Sequence, residues 1–353
     1  MAANIEIDGR MGEGGGQVLR AALALSMATG RPLSLTNIRA GRPKPGLKRQ
    51  HLACVKAAGE ICGAGVEGAV LNSQALSFRP GPVRAGEYSF DIGGGGSCTL
   101  VLQAVLPPLL TASGPSRISV RGGTHVPMAP VYEYFQKSLL PWLERLGPGL
   151  SSRLYRSGFM QMGGGLMEVE MRPVPKLCPL DEAEPIEVES ISGLIRSHGL
   201  DESIGQREAG ILRKLRDLGS LSVENHPAGD CGPGNVVILE LASAKGLTLT
   251  SGIGRPGLAA EKVAHQAINR ALQFLGAHVP VDAHLADQLI VPLALAGGGR
   301  FLTEKPTLHT LTVMELLPLF IDLKAEALEA GPKSWLIEIS PRRSPSRKTA
   351  VSL

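Results

Sequence analysis

One local pattern occurs twice in this chain, 80 residues apart, and it limits the fold more than any other feature. Asn4–Ile7 reads as a short strand. The glycines Gly14–Gly16 follow, then a helical run over Gln17–Met27 and a strand over Pro32–Ile38. Tyr88–Ile92, the glycines Gly93–Gly96, a helix over about Cys98–Leu110 and a strand over Arg117–Val120 repeat that order. Arg39-Ala-Gly-Arg-Pro then leads into a helix near 46–61, and Arg121-Gly-Gly-Thr-His-Val-Pro into one near 129–146. These second helices end at Gly63 and Gly147, where a left-handed cap favours glycine, and two strand-like runs follow each. The unit is strand–helix–strand–helix–strand–strand, and recurrence at this period marks a repeat architecture.

A third, compressed copy is expected near the carboxyl end. It has a helix over Leu285–Ala296, a glycine turn at 297–299, a strand over Phe301–Glu304, a helix over Thr310–Leu317 stopped by Pro318, and a strand over Trp335–Ile339. The intervening segment has a different character. Asp181–Glu189 is acidic, Ser203–Leu218 reads as a charged amphipathic helix, Val236–Ala242 and Leu247–Thr250 as strands, and Glu261–Leu275 as a helix. The fold class expected is therefore α/β, built of α+β repeats. Residues 1–183 and 280–353 form a large repeat domain, and 184–279 an inserted smaller α/β domain. The basic tail from Arg342 is expected to fray.

Composition excludes several classes. Hydrophobic residues make up 43% of the chain, enough for a core, which argues against general disorder. The 44 glycines show no triplet period, so collagen is excluded. The five cysteines have no CxxC spacing, which disfavours a disulfide framework or a cysteine zinc site. The longest apolar runs, 99–112 and 289–296, are too short to span a bilayer, and the amino terminus has no signal-peptide pattern. A soluble cytoplasmic protein without a membrane partner is expected. A net charge of +4 permits a nucleic-acid or nucleotide partner without requiring one.

Four constellations are candidates for chemistry. Asp8-Gly-Arg-Met-Gly-Glu-Gly-Gly-Gly-Gln runs from strand to glycines to helix start, which suits a phosphate. Within it Glu13 suits a divalent cation, and Arg20 lies one turn into the helix. A plain tight turn is an equally good reading of that spacing. Arg39, Arg42, Lys44, Lys48 and Arg49 form a basic loop, expected as a cationic rim for polyphosphate or RNA. A charge run of this kind is more often a solvated face. Asp287 opens an apolar helix, as a site carboxylate or as a cap. His309 sits at a strand–loop–helix junction, in the loop equivalent to the basic loop of copy one and to His125 of copy two. Walker A, kinase, G-x-S-x-G and K-x-D-G signatures are all absent.

Ile7-Asp-Gly-Arg-Met-Gly-Glu-Gly-Gly-Gly-Gln-Val-Leu-Arg, Ile38-Arg-Ala-Gly-Arg-Pro-Lys-Pro-Gly-Leu with Gln50-His51, the glycines 93–96, His284-Leu-Ala-Asp-Gln and His309 together resemble the RNA 3′-terminal phosphate cyclase family. The resemblance runs over nearly the whole chain. It implies three repeats of two helices packed on a four-stranded sheet, with an inserted smaller α/β domain. It also implies an ATP-dependent ligase: a histidine is adenylated, AMP passes to an RNA 3′-phosphate, and the 2′-hydroxyl closes a 2′,3′-cyclic phosphodiester. On that basis His309 is the nucleophile and Glu13 the ligand of a divalent metal, Mg or Mn. Arg20, Arg42 and Gln50 hold phosphate groups or the RNA end. Gln103, Pro130 and the run His284, Leu285, Ala286, Asp287 and Gln288 form the ATP pocket. The family pattern has a tyrosine where this chain has His284 and an asparagine where it has Val313. The expected partners are ATP and RNA with a 3′-phosphate end, and a homo-oligomer is permitted. Two other readings share the architecture: a non-catalytic scaffold in ribosome or RNA processing, which would lack the nucleophilic histidine, and an unrelated repeat enzyme such as an enolpyruvyl transferase.

Overall fold

The computed structural model describes residues 3–342 except 161, 228, 230 and 231, so the basic tail beyond Arg342 lies outside the described residues. The first repeat begins with β1 (Ile5–Asp8), where Ile5 and Ile7 turn inward and Glu6 outward. It continues through α1 (Gly16–Thr29), β2 (Leu33–Thr36), α2 (Arg49–Cys62), β3 (Gly65–Glu67) and β4 (Leu76–Arg79). β1 and β2 pair in parallel and the other neighbours antiparallel, in the order β1-β2-β4-β3. A helical crossover is what parallel pairing of successive strands requires.

The second repeat has the same topology, with β5 (Glu87–Asp91), α3 (Cys98–Leu109), β6 (Ser116–Gly122), β7 (Gly149–Arg156) and β8 (Gly165–Arg172) in the order β5-β6-β8-β7. Its second helix differs from the regular one expected over 129–146. It consists of α4 (Tyr132–Tyr134), a π-helical turn (Phe135–Leu139) and α5 (Leu140–Glu144). Pro141 has no N–H to continue the ladder, and the Leu140 N–H donates instead to the Phe135 carbonyl, five residues back.

The third repeat is complete rather than compressed. Its first strand is β9 (Asp181–Glu182), which precedes the insertion and pairs in parallel with β14 (Gly299–Thr303). After the insertion come α8 (Ala283–Leu295), β14, α9 (Leu308–Phe320), β15 (Leu323–Gly331) and β16 (Ser334–Pro341), giving the order β15-β16-β14-β9. A two-residue strand has no periodicity to read, so β9 left no signal in the sequence, and β15 was also not anticipated. α9 runs past Pro318 by two residues instead of stopping before it.

The insertion contains β10 (Val188–His198), α6 (Glu202–Leu212), β11 (Leu218–His226), β12 (Gly234–Ser243), β13 (Gly246–Ile253) and α7 (Ala260–Leu275), with sheet order β11-β10-β12-β13. α6 is shorter than the predicted 203–218 helix, and neither β10 nor β11 was anticipated. The insertion has its own core, including Ile195, Leu239, Val263 and Phe274.

The first helices of the three repeats, α1, α3 and α8, pack on one another at the centre. Each is apolar nearly all round, as a buried helix must be. Past the first turn their charged or amide side chains are few: Arg20 in α1, Gln103 in α3, and Asp287 and Gln288 in α8, each the fifth or sixth residue of its helix. No helix among the described residues is long and apolar enough to cross a membrane.

Candidate active site

The site forms where the β1–α1 loop, the start of α9 and the inner helices meet. Thr307 caps α9, its hydroxyl accepting the Thr310 N–H at 3.1 Å, and this sets His309 in the first helical turn. The loop reaches α9 through Gly12. Its φ of +55° is left-handed, and a Cβ there would lie 1.9 Å from Thr312 Oγ1. That approach lets Thr312 Oγ1 accept the Glu13 N–H at 3.1 Å, while the same hydroxyl donates to the Leu308 carbonyl at 2.6 Å.

Glu13 is thereby turned inward, its side chain only 5% exposed. His309 Nε2 lies 3.2 Å from Glu13 Oε2, and His309 Nδ1 lies 3.7 Å from Asp287 Oδ2. Arg42 is ion-paired with Glu13, and the Gln17 N–H donates to Glu13 Oε1 at 3.1 Å. An amide of the α1 N-terminus is thus already satisfied by a carboxylate, the anion that such a terminus attracts. Arg20 donates from Nε to Gln103 Oε1 at 2.9 Å and from its terminal nitrogen to Gln17 Oε1 at 2.6 Å.

These contacts divide the ionisation of three neighbouring groups. Burial alone would raise Glu13, but the hydrogen bond and charge of His309, with Arg42, bring it down to about 2. The same hydrogen bond raises His309 above its ordinary value, against the effect of burial. Burial pushes the Asp287 carboxyl up to about 7, against the attraction of His309 and Arg20. Carboxyls flanking one imidazole with pKa values this far apart match the pattern of functional acid–base sites. His51 is buried, and burial with Arg20, Arg39 and Lys48 lowers it to about 3, so its ring is neutral.

His309, Glu13, Arg42, Asp287, Arg20 and Gln103 therefore come together. Asp287 is the fifth residue of α8 and not its cap. Asp282 caps the helix, accepting from the His284 and Leu285 N–H groups, and its other oxygen holds the Tyr134 hydroxyl at 2.8 Å. Gln50 Oε1 accepts the Ser97 N–H at 2.7 Å, which ties the start of α2 to the cap of α3, and the Pro130 carbonyl accepts the Thr99 hydroxyl at 2.8 Å, which ties the first turn of α3 to a neighbouring loop. His284 is exposed at the start of α8, and Gln288 is nearly buried, donating to the His284 carbonyl at 2.9 Å. Leu285 and Ala286 are fully buried in the core. Val313 is also fully buried.

Cations of the basic loop also hold its backbone together. Arg39 donates to the Lys44 and Gly46 carbonyls, Lys48 to the Pro45 carbonyl and Asn72, and Arg49 to the Gly93 carbonyl. A loop rich in proline and glycine has unpaired carbonyls, and these cations satisfy them. His125 is fully buried and bonded at both ring nitrogens, to Thr124 Oγ1 and Glu133 Oε2, each at 2.8 Å. Sequence reasoning missed Gln17 and Thr312. Thr312 lies three residues after His309, close to one helical turn, and that spacing was the available signal.

The family model for RNA 3′-terminal phosphate cyclase matches residues 11–327. The chain belongs to that family. The matched span includes Glu13, Arg42, Asp287 and His309. Among solved structures the chain is similar to the enolpyruvyl transferase NikO from Streptomyces tendae, with 15% identity and a TM-score of 0.36, over 96% of this chain and 48% of that one. It is also similar to the EPSP synthase of Acinetobacter baumannii, with 12% identity and a TM-score of 0.30, over 97% of this chain and 66% of that one. The chain thus spans about half the length of the first protein and about two thirds of the second.

Proposed function

We propose that this chain uses ATP to convert an RNA 3′-terminal phosphate to a 2′,3′-cyclic phosphodiester through a covalent adenylate on His309. The observation that carries this reading is the placement of His309 between Glu13 and Asp287, beside Arg42 and Arg20. A terminal phosphate monoester resists attack because its oxyanions repel the nucleophile. Joining it to AMP supplies a good leaving group and divides one hard step into easier ones.

In the first step a neutral nitrogen of His309 bonds to the α-phosphorus and pyrophosphate leaves. Asp287 stands beside Nδ1 and is suited to hold a proton there, which leaves Nε2 as the attacking atom once Glu13 no longer engages it. An RNA 3′-phosphate oxygen then attacks the adenylate phosphorus, the P–N bond breaks, and RNA(3′)pp(5′)A forms. The 2′-hydroxyl finally attacks the 3′-phosphorus, losing its proton, and AMP leaves. Arg20 and Arg42 offer guanidinium donors for the charge on the phosphates.

Glu13 is a hard oxygen donor within reach of His309, which fits a divalent metal such as Mg or Mn. Among the described residues no group of three or more His, Cys, Asp or Glu is arranged to hold a metal ion. Such a donor set agrees with magnesium chemistry, in which one or two carboxylates act together with phosphate oxygens and water. When bound, the metal neutralises phosphate charge.

The decisive experiment is incubation with α-labelled ATP and Mg or Mn, followed by acid treatment. Acid-labile label on the wild-type protein, absent from His309→Ala, is expected. Full labelling of His309→Ala, or no label on the wild type, overturns the reading.

A further inference from the structure

A second polar site lies where the insertion meets the second repeat. A cavity of about 260 Å3 opens there, walled by Leu200, Ile204, Ile253, Leu258 and the ring of Phe159. Glu208, on α6, lines it and is fully buried. Asn235 Nδ2 donates to Glu208 Oε1, whereas Glu208 Oε2 has no hydrogen-bond partner and no cation ion-pairs with this residue among the described residues. An unpaired buried carboxylate oxygen is costly, and native folds satisfy nearly all such groups. Burial pushes the carboxyl up to about 7, with the Asn235 hydrogen bond opposing. That direction is the one expected of a charge held without a counter-ion.

Two glycines make room for these groups. A Cβ at Gly254 would lie 1.6 Å from Asn235 Oδ1, and one at Gly234 would lie 2.2 Å from Phe159 Cγ. Phe159 is itself braced between His125 and His198, with ring centroids 5.5 and 5.4 Å away. The mouth carries the exposed Arg255.

We propose that this cavity is a nucleobase slot in which Glu208 accepts hydrogen bonds from the donor edge of a guanine. The volume lies below the roughly 300–1,000 Å3 of pockets for drug-sized ligands and suits a single ring system. Apolar walls with one aromatic ring match the face of a base, and the carboxylate of Glu208 among them suits the reading of an edge. Guanine presents its ring N–H and its amino group side by side, both donors to a carboxylate. Adenine and cytosine place an acceptor beside the amino group, and uracil flanks its N–H with two carbonyls that a carboxylate repels. Arg255 at the mouth suits the phosphate side of a nucleotide. The guanine arises either from a free nucleoside or from a position within an RNA strand.

Equilibrium dialysis with tritiated guanosine, at saturating ATP, tests the first source. Binding of uridylate oligomers ending in a 3′-phosphate, each with one guanine at a scanned position, tests the second. A guanine preference of at least tenfold over the other bases is expected in one arm, and that arm identifies the source. Glu208→Gln, close to isosteric, should abolish the preference while the unfolding midpoint shows a folded protein. Ile204→Trp, which fills the slot and leaves Glu208 intact, should abolish it too. No guanine preference in either arm, or a preference that Glu208→Gln retains, overturns the proposal.

Discussion

The resting partner of His309, Glu13, favours the protonated ring. Glu13 raises its pKa, so the imidazole of the nucleotide- and metal-free protein is expected to titrate above 6.5 by NMR. Glu13→Gln removes both the charge and the strongest acceptor, and the midpoint is expected to fall. An unchanged midpoint would show that the 3.2 Å contact does not govern the ring. Because attack needs the neutral imidazole, adenylate formation is expected to rise with pH through that midpoint. Gly12 makes the arrangement sterically specific. Gly12→Ala combines a left-handed φ with a collision at Thr312 and is expected to cost about 1–3 kcal/mol. It should lower both the unfolding midpoint and the yield of labelled protein, since the same displacement moves the Glu13 backbone.

At the scale of elements, helix ends decide where the chemistry sits. α8 is anchored by Asp282 at its cap and by Glu304, whose carboxylate accepts the Ala283 N–H at 3.0 Å while pairing with Arg270 of α7. Asp287 therefore stands one turn in, facing His309. α9 depends on Thr307 in the same way. Thr307→Ala is expected to cost about 1 kcal/mol of stability and to slow adenylation, and Thr307→Ser should restore both. Chemical denaturation and a single-turnover labelling rate measure the two effects. The inner helices show a division of labour that sequence alone does not display. The polar residues of α1, α3 and α8 lie at similar depth, and the packing of the three repeats gathers Arg20, Gln103 and Asp287 around one point. The prolines within α3, α8 and α9 each lie in the later part of the helix, away from the site.

The whole molecule joins repeats to insertion through buried charge. Glu133 of the second repeat ion-pairs with Arg196 of β10 and hydrogen-bonds to His125, and Arg196 continues to Glu224 at 2.8 Å. Burial would raise Glu133, but His125 and Arg196 bring it down to about 2. A depressed carboxyl stabilises the fold above its unfolded pKa, near 4.5, and that stability is lost as pH falls toward 2. Arg196→Ala leaves the carboxylate buried with less charge opposite, and the expected loss is about 3–5 kcal/mol near neutral pH. Its stability should then change less than that of the wild type on acidification from pH 4.5, as unfolding curves at several pH values would show. The repeat and the order of elements in its first two copies were legible in the sequence, because local periodicity and glycine spacing record them directly. Glu13, Arg42, Asp287 and His309 were candidates on spacing alone, and their roles rest on the resemblance to the cyclase family. The first strand of the third copy was not legible, because β9 gains its partner only across the whole insertion. Nor were the carbonyl partners of Arg39, Lys48 and Arg49, since unpaired carbonyls exist only once the loop has folded. The partition of charge among Glu13, His309 and Asp287 came from tertiary structure alone: pKa values depend on burial and on distances between residues remote in the chain, and neither is written in local order.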